Sequence, residues 1–224
     1  KHQALQSTEH WNGRITQKVH DSEGCCHSYD CNCTSCNCTT DSNGVETCGE
    51  CCDTCYEHSE DYFWKLVYST GDSRMIDHCE PDRDAVPAAW TAATVGDPAS
   101  LPHTYTNYVK ADPESLIREG APEHLLSHVP AFPQVHSYHK VDKVIGGGVR
   151  VPPGWQHELM ELNADLGAHK QVDVTVLFTS QQDPQFAQAV ETKWLFGPKN
   201  AVIVVAGVSA NKISWARVVT ISRV

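Results

Sequence analysis

The sequence predicts an α+β protein in two parts: a small N-terminal β module with a cysteine-rich crosslinked loop, and a C-terminal three-layer α/β/α sandwich with a mostly parallel sheet. Three observations predict it. Ten of the eleven cysteines fall between Cys25 and Cys55. Ten prolines recur from Pro81 to Pro153, which interrupts any long helix or central strand there. Beyond Val141, apolar runs of strand length alternate with segments of helical period. The reading divides the chain into a cysteine-rich β module (1–80), a proline-rich linker with short helices (81–135) and an α/β domain (136–224).

A chain of 224 residues has room for two domains of this size. Its formal charge of -11 repels phosphate backbones and argues against nucleic acid as a partner. The most apolar run, residues 201–208, is less than half of the roughly 20 residues that span a bilayer. Membrane association is therefore expected only through segments outside this sequence. The chain opens at Lys1 and ends inside a strand-like run, so it reads as either a processed product or a piece of a longer polypeptide.

In the first part, residues 12–20 and 61–70 are rich in β-branched and aromatic residues. Tyr62, Trp64, Leu66 and Tyr68 alternate onto one face. Between these strands the chain is poor in Leu, Ile and Val, so crosslinks must supply the order that a core does not. Two chemistries fit. Cys33-x-x-Cys36, with Cys48-x-x-Cys51 or Cys52-x-x-Cys55, has the spacing of paired thiolates on zinc, with Asp41 to Gly44 as the turn between them. His58, like His27 and His78, is placed to replace a thiolate. The alternative is a disulfide framework, in which the neighbours Cys25 and Cys26, and Cys51 and Cys52, must each reach different partners. An odd count then leaves one thiol free or intermolecular.

Haem attachment is excluded because Cys52-x-x-Cys55 is followed by Tyr56 rather than histidine. Asn32-Cys33-Thr34 and Asn37-Cys38-Thr39 match the N-glycosylation pattern, but so short a pattern with an engaged cysteine at its centre carries little weight.

In the linker, Asp112-Pro113 supplies the N-cap and first position of a short helix, and Pro122 restarts a second turn through His128. His124 and His128 lie four apart with no carboxylate motif beside them, so they read as surface histidines.

The C-terminal part reads as βαβαββ. A strand at 141–145 precedes a helix led by Pro152-Pro153, with Trp155, Leu159, Leu162 and Leu166 on its apolar stripe and its end at Gly167. Residues 171–180 form a strand apolar on both faces. Asp183-Pro184 opens a helix carrying Phe186, Val190 and Trp194, which Gly197-Pro198 stops. Strands at 201–208 and 213–221 follow, the last antiparallel to its neighbour.

The run from Val141-Asp142 through the helix ending Leu166-Gly167, the strand Val172 to Phe178, Asp183 to Trp194, Gly197, Lys199-Asn200 and Val202 to Val208 resembles the TPM domain family. This family is named for a thylakoid lumen protein, a photosystem II assembly protein and an acetylcholine-receptor modulator. The resemblance covers about a third of the chain. It implies an exported, membrane-anchored protein acting in the assembly or repair of membrane complexes. In some members it implies phosphatase activity or metal binding.

Ligands of open parallel sheets sit beyond the carboxyl ends of the strands. That rule selects Thr179, Asp183, Ser209 and Asn211 as possible ligand-loop residues, with Asp183 the only carboxylate and also an N-cap. Gly146-Gly147-Gly148 lacks the Gly-Lys-Ser/Thr continuation of a phosphate loop, so no nucleotide is expected.

The resulting expectation is a non-enzymatic interaction or assembly protein, exported or at a surface, with a protein partner or itself as partner and zinc as the one cofactor in view. Two alternatives accompany it. One is a metal-assisted phosphatase using Asp183; the other is a structural subunit of an extracellular or virion assembly.

Overall fold

The computed structural model describes residues 3–109 and 120–221. Among the described residues strands make up 50% and four short helices 16%, with mostly antiparallel sheets, so the expected α/β/α sandwich with a mostly parallel sheet is not the fold. The described residues hold too little helix for two covering layers. β1 (Gln3–Gly24) alone is longer than any helix. Two compact units result. One comprises residues 17–67 and 73–94; the other comprises residues 3–16, 68–72, 95–109 and 120–221.

The first unit holds the second half of β1, then β2 (Ser28–Thr40), β3 (Glu46–Tyr56), β4 (Glu60–Tyr68), β5 (Ser73–Glu80) and the single-turn helix α1 (Ala88–Ala92). β4 pairs antiparallel with β5, and Trp64 and Leu66 are fully buried on it, as their alternation predicts. β2 and β3 form a separate two-stranded hairpin. Its turn is closed by Asp41, whose side chain accepts from the Asn43 and Val45 N–H groups at 2.9 and 2.8 Å.

In the second unit, residues 3–14 of β1 pair antiparallel with β6 (Pro98–Val109). After α2 (Glu123–Leu126) and the small pair β7 (Val135–His136) and β8 (Lys140–Val141), a four-stranded sheet runs β12-β11-β10-β9. Its strands are β9 (Val144–Gly147), β10 (Asp173–Thr179), β11 (Ala201–Ser209) and β12 (Lys212–Thr220). β10 is parallel to β9 and β11, while β12 returns antiparallel through a turn in which Ala210 and Asn211 take φ of 48° and 60°. α3 (Trp155–Lys170) and α4 (Phe186–Lys193) are the crossovers. Phe186, Val190 and Trp194 pack with Leu177, Ile203 and Val205 into the main core. The helix expected after Pro113 lies outside the described residues.

α3 departs from its predicted stripe and end. Trp155 and Leu162 are exposed, and the buried face is Met160, Asn163 and Ala164. The helix continues past Gly167, which is a point of close approach and no cap: a Cβ there would overlap the backbone carbonyl of Asn12. The helix ends instead with Gln171 in the left-handed region, at φ 51°.

Candidate functional site

Two places in the molecule concentrate chemistry, one in each unit. In the first, the cysteines resolve as disulfides: Cys31–Cys55, Cys33–Cys52, Cys36–Cys51 and Cys38–Cys48 are nested across β2 and β3, and Cys26–Cys79 ties the root of the hairpin to β5. The zinc arrangement expected of Cys33, Cys36, Cys48, Cys51, Cys52 and Cys55 is thereby replaced, since a sulfur held in a disulfide is not a thiolate ligand. Nearly every hairpin residue is exposed. The covalent rungs do the work that burial does elsewhere. A single rung is worth about 3 kcal/mol by loop closure, and each further nested rung adds less because the loop it closes is already shortened. The hairpin carries Asp30, Asp41, Glu46, Glu50 and Asp53 and no Lys or Arg between residues 28 and 56.

Cys25 is the remaining free cysteine, and it is buried. Its sulfur lies 3.4 Å from both the carbonyl and the amide N of His27. The His27 and His58 rings converge on the fully buried Asp61: His27 Nδ1 is 3.3 Å from Oδ2, and His58 Nε2 meets Oδ1. Burial by itself would push the Asp61 carboxyl up. The Cys26 N–H, donating at 2.6 Å, and the two histidines outweigh this and hold it below the usual range. Of the expected ligands, His58 stands here together with His27, while His78 lies in a different cluster. Cys25 and Asp61 escaped the spacing argument because they are drawn together by the two ends of the hairpin.

The second place is a buried ionic network in the other unit. Lys143, just before β9, and Asp173, the first residue of β10, are both 0% exposed and pair at 2.6 Å. Asn12 donates to Asp173 Oδ1 at 3.0 Å. His10 Nδ1 lies 3.2 Å from Asp173 Oδ2 and 3.1 Å from Lys143 Nζ, so one tautomer donates to the carboxylate and the other accepts from the ammonium. Burial pushes the Lys143 ammonium below its ordinary value against the opposing pull of Asp173. Asp173 is held low because Lys143 and His10 together overcome its burial. Asn200 clamps the same strand, accepting from the His10 N–H at 3.0 Å and donating to the His10 carbonyl at 2.7 Å.

His10 also faces a cavity of 530 Å³ walled by Pro130, Phe132, Trp194, Phe196 and Pro198. Its polar lining is Thr8, His10, Gln134 and Lys193, with no carboxylate among them.

The loops chosen by the strand-end rule are occupied by local structure. Asp183 Oδ1 accepts from the Gln185 N–H at 2.9 Å at the entry to α4. Thr179 Oγ1 accepts from the Gln181 N–H at 3.1 Å. Ser209 and Asn211 shape the β11–β12 turn, and the Trp215 indole N–H closes on the Gln181 carbonyl at 3.0 Å. Sequence reasoning missed Lys143 and Asp173; the signal available was a charge of opposite sign inside each of two apolar, strand-like runs.

No helix among the described residues is long and apolar enough to cross a membrane. No protein-family model, curated protein or solved structure matches this chain.

Proposed function

We propose that the protein is a non-enzymatic interaction or assembly factor that works in an oxidising, extracytoplasmic environment and presents the β2–β3 hairpin to a protein partner. The hairpin itself carries this reading. It has four rungs, almost no buried side chain and five acidic residues without a basic one. A segment that contributes no core yet is held rigid by covalent bonds is built to be presented, and preorganisation lowers the entropy lost on contact. Its charge fits a partner surface rich in Lys and Arg.

Five disulfides suit an oxidising compartment. The resemblance of residues 141–221 to TPM domains agrees with an exported protein, membrane-anchored through segments outside this sequence. The zinc expected of the cysteine module has no place on the hairpin rungs.

Crosslinking mass spectrometry on the protein from its native source tests this: intermolecular crosslinks should concentrate on residues 28–56 and weaken at high salt. Crosslinks confined to other surfaces overturn it. So does turnover of a generic phosphomonoester that Asp183→Ala abolishes, the phosphatase outcome.

A second reading, a self-assembling structural subunit, is favoured by one observation. β12 is the edge of its sheet, and Ile213 and Val218 on it are exposed. Light scattering separates the two readings, a multimer supporting this one. Because Cys25 is buried, such a multimer should persist in reductant-free buffer without intermolecular disulfides.

A further inference from the structure

Four clusters of His, Cys, Asp and Glu among the described residues bring ligand atoms within 4.8 Å of one another. Three of them contain both halves of a disulfide: Cys26 with Cys79, Cys33 with Cys52, and Cys38 with Cys48. The fourth is Cys25, His27, His58 and Asp61, and it holds the chain's one unoxidised cysteine.

We propose that Cys25, His27, His58 and Asp61 bind one zinc ion at the root of the hairpin. The donor set is one thiolate, two imidazoles and one carboxylate, four ligands in all, the number of a closed structural zinc site. Calcium and magnesium are disfavoured because they require oxygen ligands. A blue-copper site would place two histidines and a cysteine beside a weak axial ligand, whereas here the fourth group is a charged carboxylate. Zinc bonds of about 2.0–2.3 Å set ligand atoms about 3.3–3.8 Å apart on a tetrahedron, so the present spread needs to close by about 1 Å.

Two observations support the site. First, a ring nitrogen of each histidine already lies at the same carboxylate, His58 hydrogen-bonded to it and His27 3.3 Å away, so a cation seated there would be met by both rings and the carboxylate. The Cys26 N–H fixes that carboxylate from behind at 2.6 Å, the supporting contact that metal-binding carboxylates require. Second, the one cysteine that the odd count leaves unpaired is buried and stands in this cluster, with its sulfur within 4.8 Å of the His27, His58 and Asp61 ligand atoms.

The location gives the ion a task. Residues 25–27 enter β2 and residues 57–61 leave β3, and the Glu57 N–H already bonds the His27 carbonyl at 3.0 Å. A zinc ion across these two segments clamps both feet of the hairpin and, with Cys26–Cys79, fixes the direction in which it projects. The site does not depend on which partner the hairpin meets.

The test uses the full chain produced in an oxidising compartment without chelator, its five disulfides verified by mass spectrometry. Plasma mass spectrometry should find one zinc per chain. Cys25 should resist a thiol reagent until a chelator is added. Cobalt exchanged into the site should show a thiolate-to-cobalt charge-transfer band. Cys25→Ser and His58→Gln should each weaken zinc binding by at least about a hundredfold. Cys38→Ser/Cys48→Ser, at the far end of the hairpin, should leave it unchanged.

Should the ligand variants fail to fold, the wild-type protein alone decides. Correctly oxidised protein that retains no zinc after incubation with excess zinc and dialysis overturns the proposal. So does stoichiometric copper or iron in its place, or a Cys25 thiol that reacts freely in the zinc-incubated protein.

Discussion

Replacing Lys143 with methionine removes the cation from a carboxylate that has no access to water. Lys143→Met conserves length and most of the volume, so the packing change is small and the electrical one is large. Breaking a buried pair by deleting one partner costs about 3–5 kcal/mol, because the remaining charge keeps its desolvation penalty without its compensation. Here Asp173 retains Asn12 at 3.0 Å and His10 at 3.2 Å, which places the expected cost near the lower end, about 3 kcal/mol. With a urea m-value of about 2 kcal/mol/M, the unfolding midpoint should fall by about 1.5 M.

Trp194 is the reporter, being buried against Phe132 in the core of the same unit, and fluorescence follows it directly. The double variant Lys143→Met/Asp173→Leu should recover a large part of the loss, since replacing a whole buried pair by apolar groups is often neutral. A midpoint unchanged in Lys143→Met, or a double variant whose loss equals the sum of the singles, refutes the network as the organising contact between β10 and the segment before β9.

Three further outcomes follow from packing, protonation and crosslinking. Gly167→Ala would gain helix propensity of about 1 kcal/mol but drive a methyl into the Asn12 backbone, which cannot rotate away; a net loss of about 1–2 kcal/mol in urea unfolding is expected. His139 is buried with neither ring nitrogen bonded, and burial lowers its pKa from 6.5. The unfolded chain therefore takes up the proton first, and stability declines as pH falls below about 6.5. His139→Leu should remove that part of the slope and match or exceed wild type, as thermal melts across pH will show. Cys38→Ser/Cys48→Ser opens the outermost rung, worth about 2–3 kcal/mol to the hairpin tip. Amide exchange should rise at residues 38–48 while the Trp194 transition stays in place.

The parts of the structure that were readable are those in which each residue answers to a local rule. Asp183-Pro184 turns the chain toward α4 but does not cap it, since the N-cap is Gln185; Phe186, Val190 and Trp194 do form its buried stripe. Asp41 to Gly44 does turn the hairpin. α3 was misread because two of its inward residues are polar. Asn163 is buried to pair both backbone groups of Val174 at 2.8 Å, and Gln156 accepts from the Lys143 and Val144 N–H groups at 2.8 Å. Side chains that satisfy a neighbouring strand erase the apolar period that a pattern search relies on. The fold class failed for a related reason. A βαβαββ order says nothing about how much antiparallel sheet the rest of the chain builds, and β1, at 22 residues, carried no signal for its length. The metal ligands failed because C-x-x-C spacing is common to thiolate knuckles and to oxidised ladders. What separates them is which strand lies opposite.

That opposite strand explains the asparagines of the hairpin. Along β2 the bridged cysteines advance from 31 to 33 to 36 to 38, in steps of two, three and two. Their partners retreat from 55 to 52 to 51 to 48, in steps of three, one and three. Both series sum to seven but are out of step at every rung, and the backbone pairing slips twice in the same direction, each time with one extra residue on β2. It does so at breaks between Cys31 and Thr34 and between Cys36 and Thr39. Asn32 and Asn37 sit inside those breaks with φ of 49° and 48°, the left-handed region that asparagine tolerates best after glycine. The repeated Cys-Asn-Cys-Thr is thus a conformational signal before it is a glycosylation one. Asn32→Gly/Asn37→Gly should therefore refold from the reduced state to the native pairing, whereas Asn32→Val/Asn37→Val, strained by about 1–2 kcal/mol per site, should accumulate mispaired isomers. Peptide mapping of the refolded disulfides distinguishes them. Equal native yields from the two variants would mean that the cysteine order alone, without the backbone slip, selects the rungs.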